Sequence, residues 1–201
     1  MGCLIIPPRR FSAPIGVDLA KHVFQLHGIG LDGRIVLRQK LRRGQMMAFF
    51  AKLPPCLVGM EACAAAHHWA RELRALGHQV RLMPAHHVKA YIKRGKNDAA
   101  DAEAICEAVT RPTMRFVAFK TKEQQAVLVM HRTRELLVRQ RTQTINALRG
   151  LLGEFGLCEP QRTWHLGRLR AHLEDDTVPE PGRKVLSLLV EQLNEVGKRV
   201  A

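Results

Sequence analysis

Ile15-Gly-Val-Asp18-Leu-Ala is a short apolar run with a carboxylate inside it. A lone charge buried in such a run costs several kcal/mol unless it is paired or bound to a metal. Two more runs with period-two character follow, Val23-Phe-Gln-Leu-His-Gly-Ile and Arg34-Ile-Val-Leu-Arg-Gln-Lys-Leu. Between them Leu31-Asp32-Gly33 is an Asp-Gly turn of the kind that closes a hairpin. Gln45 to Leu53 is amphipathic, ends at Pro54-Pro55 and predicts a short helix. Cys56-Leu-Val-Gly-Met predicts a buried strand, residues 64–77 a helix closed by Gly77, and Gln79-Val-Arg-Leu-Met a strand stopped by Pro84. The order is three strands, helix, strand, helix, strand, helix. Hairpins followed by right-handed crossovers give an α/β fold, a mixed sheet with helices on its faces.

Beyond Arg115-Phe-Val-Ala-Phe a long helical pattern runs from about Lys122 to Leu152. Leu128, Leu136, Leu137, Ile145, Leu148, Leu151 and Leu152 give it an apolar stripe at near-heptad spacing. Between residues 120 and 149, seven Lys or Arg face two Glu. Such a helix suits a nucleic-acid groove, a dimer, or a structural helix with a solvated charged face. Residues 158–182 hold Pro160, Pro179, Pro181 and the acidic Glu174-Asp-Asp, and are expected to be a linker; 183–200 are helical again. The expected organisation is a basic tail (1–13), an α/β domain (14–120), a long basic helix (121–157), and a linker with the start of a helical region (158–201).

The 201 residues include 32 Lys and Arg against 18 Asp and Glu, a net charge of +14 and a pI near 10.4. That excess points to a polyanionic partner, because each neutralised phosphate releases condensed counterions. A ribosomal or generally adhesive basic protein has the same excess. No apolar run approaches the roughly 20 residues of a membrane span. The first residues are broken too early by Pro7-Pro8 for a secretory signal. Cysteines 3, 56, 63, 106 and 158 are scattered without a Cys-x-x-Cys pair. They predict reduced thiols of a cytoplasmic protein rather than a disulfide frame or a zinc site. His67-His68 and His86-His87 point in different directions on a helix and lack zinc-ligand spacing. One of the first pair is expected near the rim of a site containing Glu61. Gly28-Ile-Gly30 lies in a hairpin, not at a strand-to-helix turn, so it is no dinucleotide fingerprint. Trp69 and Trp164 are expected to be core residues.

Acids are scarce early in the chain: residues 1–97 contain only Asp18, Asp32, Glu61 and Glu72. Asp32 belongs to its turn, and Glu72 to an exposed helix face beside Arg71 and Arg74. Asp18 and Glu61 have no such explanation. Glu61 directly follows the strand Leu57-Val-Gly-Met60, at a carboxyl end where α/β sheets place their ligands. With the first and fourth strands as neighbours, both acids can converge on one ion. Lys96-Asn97-Asp98-Ala-Ala-Asp101 opens a helix, and a spacing of three stacks Asp98 and Asp101 on one face. Taken alone, these two acids are better explained by helix capping, at about 0.5–2 kcal/mol, and it is the company of Asp18 and Glu61 that points to a metal. Hard oxygen ligands suit Mg²⁺, which takes a few carboxylates plus substrate phosphate. Ions so held serve phosphodiester chemistry.

Three segments carry a resemblance: Ile15-Gly-Val-Asp18-Leu-Ala-Lys, Gly59-Met-Glu61-Ala-Cys, and Lys96-Asn-Asp98-Ala-Ala-Asp101-Ala. Together they resemble the DEDD motif of insertion sequence 110 family transposases, which include the Piv DNA invertases. Arg132-Thr-Arg-Glu-Leu-Leu-Val-Arg-Gln-Arg-Thr and Asn146-Ala-Leu-Arg-Gly are similar to the helical region after that family's nuclease domain, so the resemblance covers roughly residues 14–156. It implies a ribonuclease H-like (RuvC-like) fold and a transposase acting on DNA with Mg²⁺. Asp18, Glu61, Asp98 and Asp101 then inherit the metal-ligand role. It also implies a homo-oligomer and, for some members, a guide (bridge) RNA. Lys93, Arg94 and Lys96 are candidate phosphate contacts, as are Arg132, Arg139 and Arg141 on the long helix. Family members carry a further carboxy-terminal domain with a catalytic serine. The only serines here, Ser12 and Ser187, do not fit that motif, so the chain resembles a truncated transposase and no nucleophile is assigned. A stand-alone RuvC-like nuclease or resolvase, and a non-catalytic nucleic-acid-binding remnant, are the alternatives.

Overall fold

The structure is a computed structural model, and it describes residues 13–91, 98–157, 166–174 and 176–200. The chain divides into two compact units, one ending at Thr121 and one starting at Lys122. The first is built from β1 (Ile15–Leu19), β2 (Val23–Ile29), β3 (Ile35–Arg42), α1 (Met46–Phe50), β4 (Leu57–Glu61), α2 (Ala66–Ala75), β5 (Gln79–Met83), α3 (Ala85–Val88) and α4 (Asp98–Val109). The strands form one sheet in the order β3-β2-β1-β4-β5. β1 pairs antiparallel with β2 and parallel with β4, β2 antiparallel with β3, and β4 parallel with β5. The mixed sheet expected from the sequence is therefore present, with β1 beside β4. The β2–β3 hairpin turns at Asp32-Gly33, where Gly33 takes φ 76°, a left-handed conformation open to glycine at little cost.

Period-two alternation divides the sheet into two unlike faces. Ile15, Val17, Phe24, Leu26, Leu37, Leu41, Val58, Met60, Val80 and Leu82 all fall on one face, and all are buried. Against them pack Met46 and Phe50 of α1 and Ala66, Trp69, Ala70 and Leu73 of α2. Trp69 meets Phe24 edge to face at 5.2 Å, so it is a core residue as expected. Trp164 lies outside the described residues. α2 is shorter than the predicted 64–77, because Ala65 adopts φ 70° and the helix begins only after it.

The other face carries small residues where the first carries large ones, and α4 lies upon it. A Cβ on Gly16 would stand 2.2 Å from the Ala102 carbonyl oxygen and 2.4 Å from the Cys106 backbone nitrogen. A Cβ on Gly59 would stand 2.7 Å from the Cβ of Val109. Helix backbone thus rests directly on strand backbone at Gly16. The Cys106 thiol adds a hydrogen bond to the Pro14 carbonyl at 3.2 Å. Farther along, Ala104, Ile105, Ala108 and Val109 of α4 bury Met83 and Val88.

The second unit comprises α5 (Lys122–Gly153), α6 (Leu166–Glu174) and α7 (Glu180–Val200). Its core is Leu148, Leu152, Val178, Leu186, Val190 and Leu193, with Ile145 and Phe155 beside them. Only the rear of the predicted α5 stripe is buried. Leu136 is 48% and Leu151 47% exposed, because the α7 residues that bury Leu148 and Leu152 cover one side of the last turns only. The expected linker also departs from expectation, since residues 166–174 are helical and α7 begins at Glu180, with Pro181 in its first turn. Proline is tolerated there because its missing N–H has no intrahelical partner.

The contact at Gly16 makes a direct prediction. Gly16→Ala must push α4 off the sheet and should lower unfolding free energy by at least about 2 kcal/mol. Gly44→Ala, where a Cβ meets nothing within 4 Å, should be near neutral. Denaturant titrations of the two variants check this; equal stability would contradict the packing described.

Candidate functional site

The register of the sheet sets the site. β1 and β4 pair as Ile15 with Val58, Gly16 with Gly59 and Val17 with Met60. One residue farther along each parallel strand come Asp18 and Glu61. They therefore stand side by side on the face opposite to the buried Val17 and Met60, the face on which α4 lies. Both occupy carboxyl ends of their strands, and both are half-buried. Gly16 and Gly59 precede them by two residues on the same face, so the helix that rests on the glycines ends its cover short of the acids.

The turn after β4 brings a third group to the pair. Ala62 donates its N–H to the Met83 carbonyl at 2.8 Å, and Cys63 donates to the Glu61 carbonyl at 2.8 Å. Ala65 follows in its left-handed conformation, uncommon for a residue with a side chain and found disproportionately at functional sites. The Cys63 thiol is raised above its ordinary pKa first by burial, then by the negative charges of Glu61 and Asp18. Both carboxylates thus lie near enough to this thiol to act on it, in keeping with the strand register.

The remaining predicted ligands sit on α4. Asp101 is half-buried and directly precedes Ala102, whose carbonyl faces Gly16. Asp98 is the first residue of α4, but its side chain lies outside the described residues, as do Lys93, Arg94 and Lys96. Among the described residues, no three His, Cys, Asp or Glu side chains gather into a cluster able to hold a metal. The structure therefore joins Asp18 with Glu61 and sets Asp101 on the helix above that face, without closing a cage around them. An open arrangement of this kind is compatible with Mg²⁺, which is commonly bound by one or two carboxylates plus substrate phosphates and keeps several waters.

Of the two histidines considered for the rim, His67 is engaged by the segment after α4. Its Nδ1 accepts the Lys120 backbone N–H at 3.2 Å, while Arg71 donates to the Lys120 carbonyl at 2.7 Å. With Val117 bridging Leu82, these bonds fasten residues 117–120 along β5 and α2. His68 lies 3.9 Å from Glu72 on the exposed face of α2. Arg132, Arg139 and Arg141 are exposed on α5, with Arg139 3.7 Å from Glu135. Exposed pairs of that kind hold an arginine only weakly and leave it free for phosphate. Sequence reasoning missed Cys63, Gly16 and Gly59. The signal was present as a repeat, Gly-x-Asp in β1 and Gly-x-Glu in β4, which puts a small residue and an acid on one face of each strand.

Residues 15–156, from β1 through α5, match the DEDD transposase family of insertion sequence 110. This chain belongs to that family. The mixed sheet flanked by helices is accordingly its ribonuclease H-like fold. The chain is 51% identical over 191 residues to a Pseudomonas aeruginosa protein named "probable family 20 transposase", covering 93% of this chain and 56% of that one. It is 39% identical over 193 residues to a transposase for insertion sequence element IS1328 of Yersinia enterocolitica, covering 92% and 58%. A transposase for insertion sequence element IS1111A of Coxiella burnetii is 46% identical over 143 residues, covering 71% and 39%. The chain spans about half the length of the relatives it matches.

The convergence on Cys63 can be measured in solution. Removing either negative charge favours the thiolate, so Asp18→Asn and Glu61→Gln should each lower the Cys63 pKa. At pH 8.5 iodoacetamide should then alkylate Cys63 several-fold faster than in the parent, read by mass spectrometry of its peptide. Unchanged rates in both variants would place the acids apart.

Proposed function

We propose that this chain carries the nuclease centre of an insertion-sequence transposase that cleaves and rejoins DNA. Asp18, Glu61, Asp98 and Asp101 are the proposed Mg²⁺ ligands. The observation that carries the reading is the side-by-side placement of Asp18 and Glu61, on the face that α4 and Asp101 share. When bound, the metal supplies Lewis-acid stabilisation of a phosphodiester undergoing displacement. The protein's own part is to hold the acids. Their half-buried strand ends fix their directions, and the sheet beneath them is packed on both faces. Neither acid closes a hairpin or caps a helix, and a shared cation suits two carboxylates at neighbouring strand ends.

Positive charge does the holding of the substrate. The net charge of +14 suits a DNA partner. Lys93, Arg94 and Lys96 before α4, and Arg132, Arg139 and Arg141 on α5, are the proposed backbone contacts. The basic face of α5 suits a guide RNA by the same chemistry. Exposed Val127, Val129 and Met130, at 51%, 55% and 70%, support self-association through the same helix. No described helix is long and apolar enough to cross a membrane, and the proposed place of action is the cytoplasm, with the DNA.

Calorimetric titration with Mn²⁺ as the probe tests the centre. The parent chain should bind the ion, and Asp18→Asn, Glu61→Gln and Asp101→Asn should each weaken binding by tenfold or more, with folding retained by circular dichroism. Parent-like binding in both Asp18→Asn and Glu61→Gln would remove these residues from any metal site.

A further inference from the structure

The register that joins Asp18 to Glu61 also extends in the other direction. Asp18 pairs with Gln25 of β2, and Gln25 pairs with Lys40 of β3. Paired residues point to one side of a sheet, so Lys40, Gln25, Asp18 and Glu61 form a single row across the acid-bearing face. Arg38 and Arg42 flank Lys40 at spacings of two and share that side. The alternate residues Leu37 and Leu41 point into the core. Arg38, Lys40 and Arg42 are all exposed, on a strand at the edge of the sheet. Asp32, the only acid between Asp18 and Glu61 in the sequence, is 3.8 Å from Arg34 and beyond the strand's start. The three cations face solvent, and among the described residues no carboxylate forms an ion pair with them.

We infer that Arg38, Lys40 and Arg42 form a phosphate-binding shoulder, which guides the backbone of a DNA strand onto the Asp18–Glu61 pair. Neighbouring strands lie about 4.8 Å apart, so Lys40 stands two strands, about 10 Å, from Asp18. That span is short enough for neighbouring phosphates of one strand to reach both the cations and the acids. The arrangement places positive charge beside the acids on the same surface. A polyanion can then follow the row toward carboxylates that would otherwise repel it. The inference rests on the proposed nucleic-acid function, but concerns residues outside the DEDD set and outside α5. Charged edge strands also serve to block sheet-to-sheet aggregation, and binding distinguishes the two roles.

The test uses the full chain in EDTA, with a labelled 30-base-pair DNA duplex and an RNA duplex of matched length, read by fluorescence anisotropy. K40A/R42A should bind DNA about tenfold more weakly than the parent at 0.1 M salt. It should also lower the slope of log affinity against log salt by about 2. K40R/R42K should bind like the parent. K184A/K198A removes equal charge from lysines held by Glu180 and Glu195, and should change affinity less than threefold. DNA affinity and salt slope unchanged in K40A/R42A would overturn the shoulder and leave edge protection as the role of these charges. A loss confined to the RNA duplex would overturn the DNA assignment. A parent chain that binds neither duplex would overturn the functional reading itself, an outcome separable from the others because EDTA keeps the metal centre out of the measurement.

Discussion

Everything at the proposed site depends on how closely α4 approaches β1. At Gly16 the Ala102 carbonyl and the Cys106 backbone nitrogen occupy the space where a side chain would begin. A Cβ contact near 2.2 Å is impossible, so the helix can lie there only over glycine. The same face then carries Asp18 two residues on, just past the helix's footprint. Gly59 and Glu61 repeat the arrangement on the neighbouring strand. The helix that needs the glycines is also the one whose first turns carry Asp98 and Asp101 in the chain. The thiol of Cys106 binding the Pro14 carbonyl fixes the same approach from the helix side. Packing and chemistry are here one constraint.

That constraint explains why the two sheet faces are so unlike. One face buries ten large apolar side chains against α1 and α2 and supplies the hydrophobic stabilisation. The other has few large groups to bury, and so has room for carboxylates at its end and cations at its edge. The basic character of the chain is distributed to match. β3 contributes Arg38, Lys40 and Arg42, and α5 contributes Arg132, Arg139 and Arg141, while β1 and β4 carry the acids.

The strands themselves and the β2–β3 hairpin were legible in the sequence, because alternation and the Asp-Gly turn are local signals. Asp18 and Glu61 were legible for a different reason, since an acid inside or directly after an apolar run has few cheap explanations. The fate of the α5 stripe was not. Near-heptad spacing marks a face able to pack, but only the position of α7 decides that Leu148 is covered while Leu136 is exposed. Cys63 was hidden as well, because its neighbours come together through the β1–β4 pairing rather than through sequence. The cations of β3 escaped notice since their alternation makes sense only once the row from Lys40 to Glu61 is known. The use of the His67 ring was hidden too, since its partner Lys120 lies 53 residues away in the chain.

The most direct measurement is an anomalous diffraction map from crystals of this chain grown with Mn²⁺. The predicted result is a peak within about 2.2 Å of carboxylate oxygens from both Asp18 and Glu61, beside the start of α4. A peak held by other residues, with Asp18 and Glu61 turned away from it, would contradict the shared centre on which the functional reading depends.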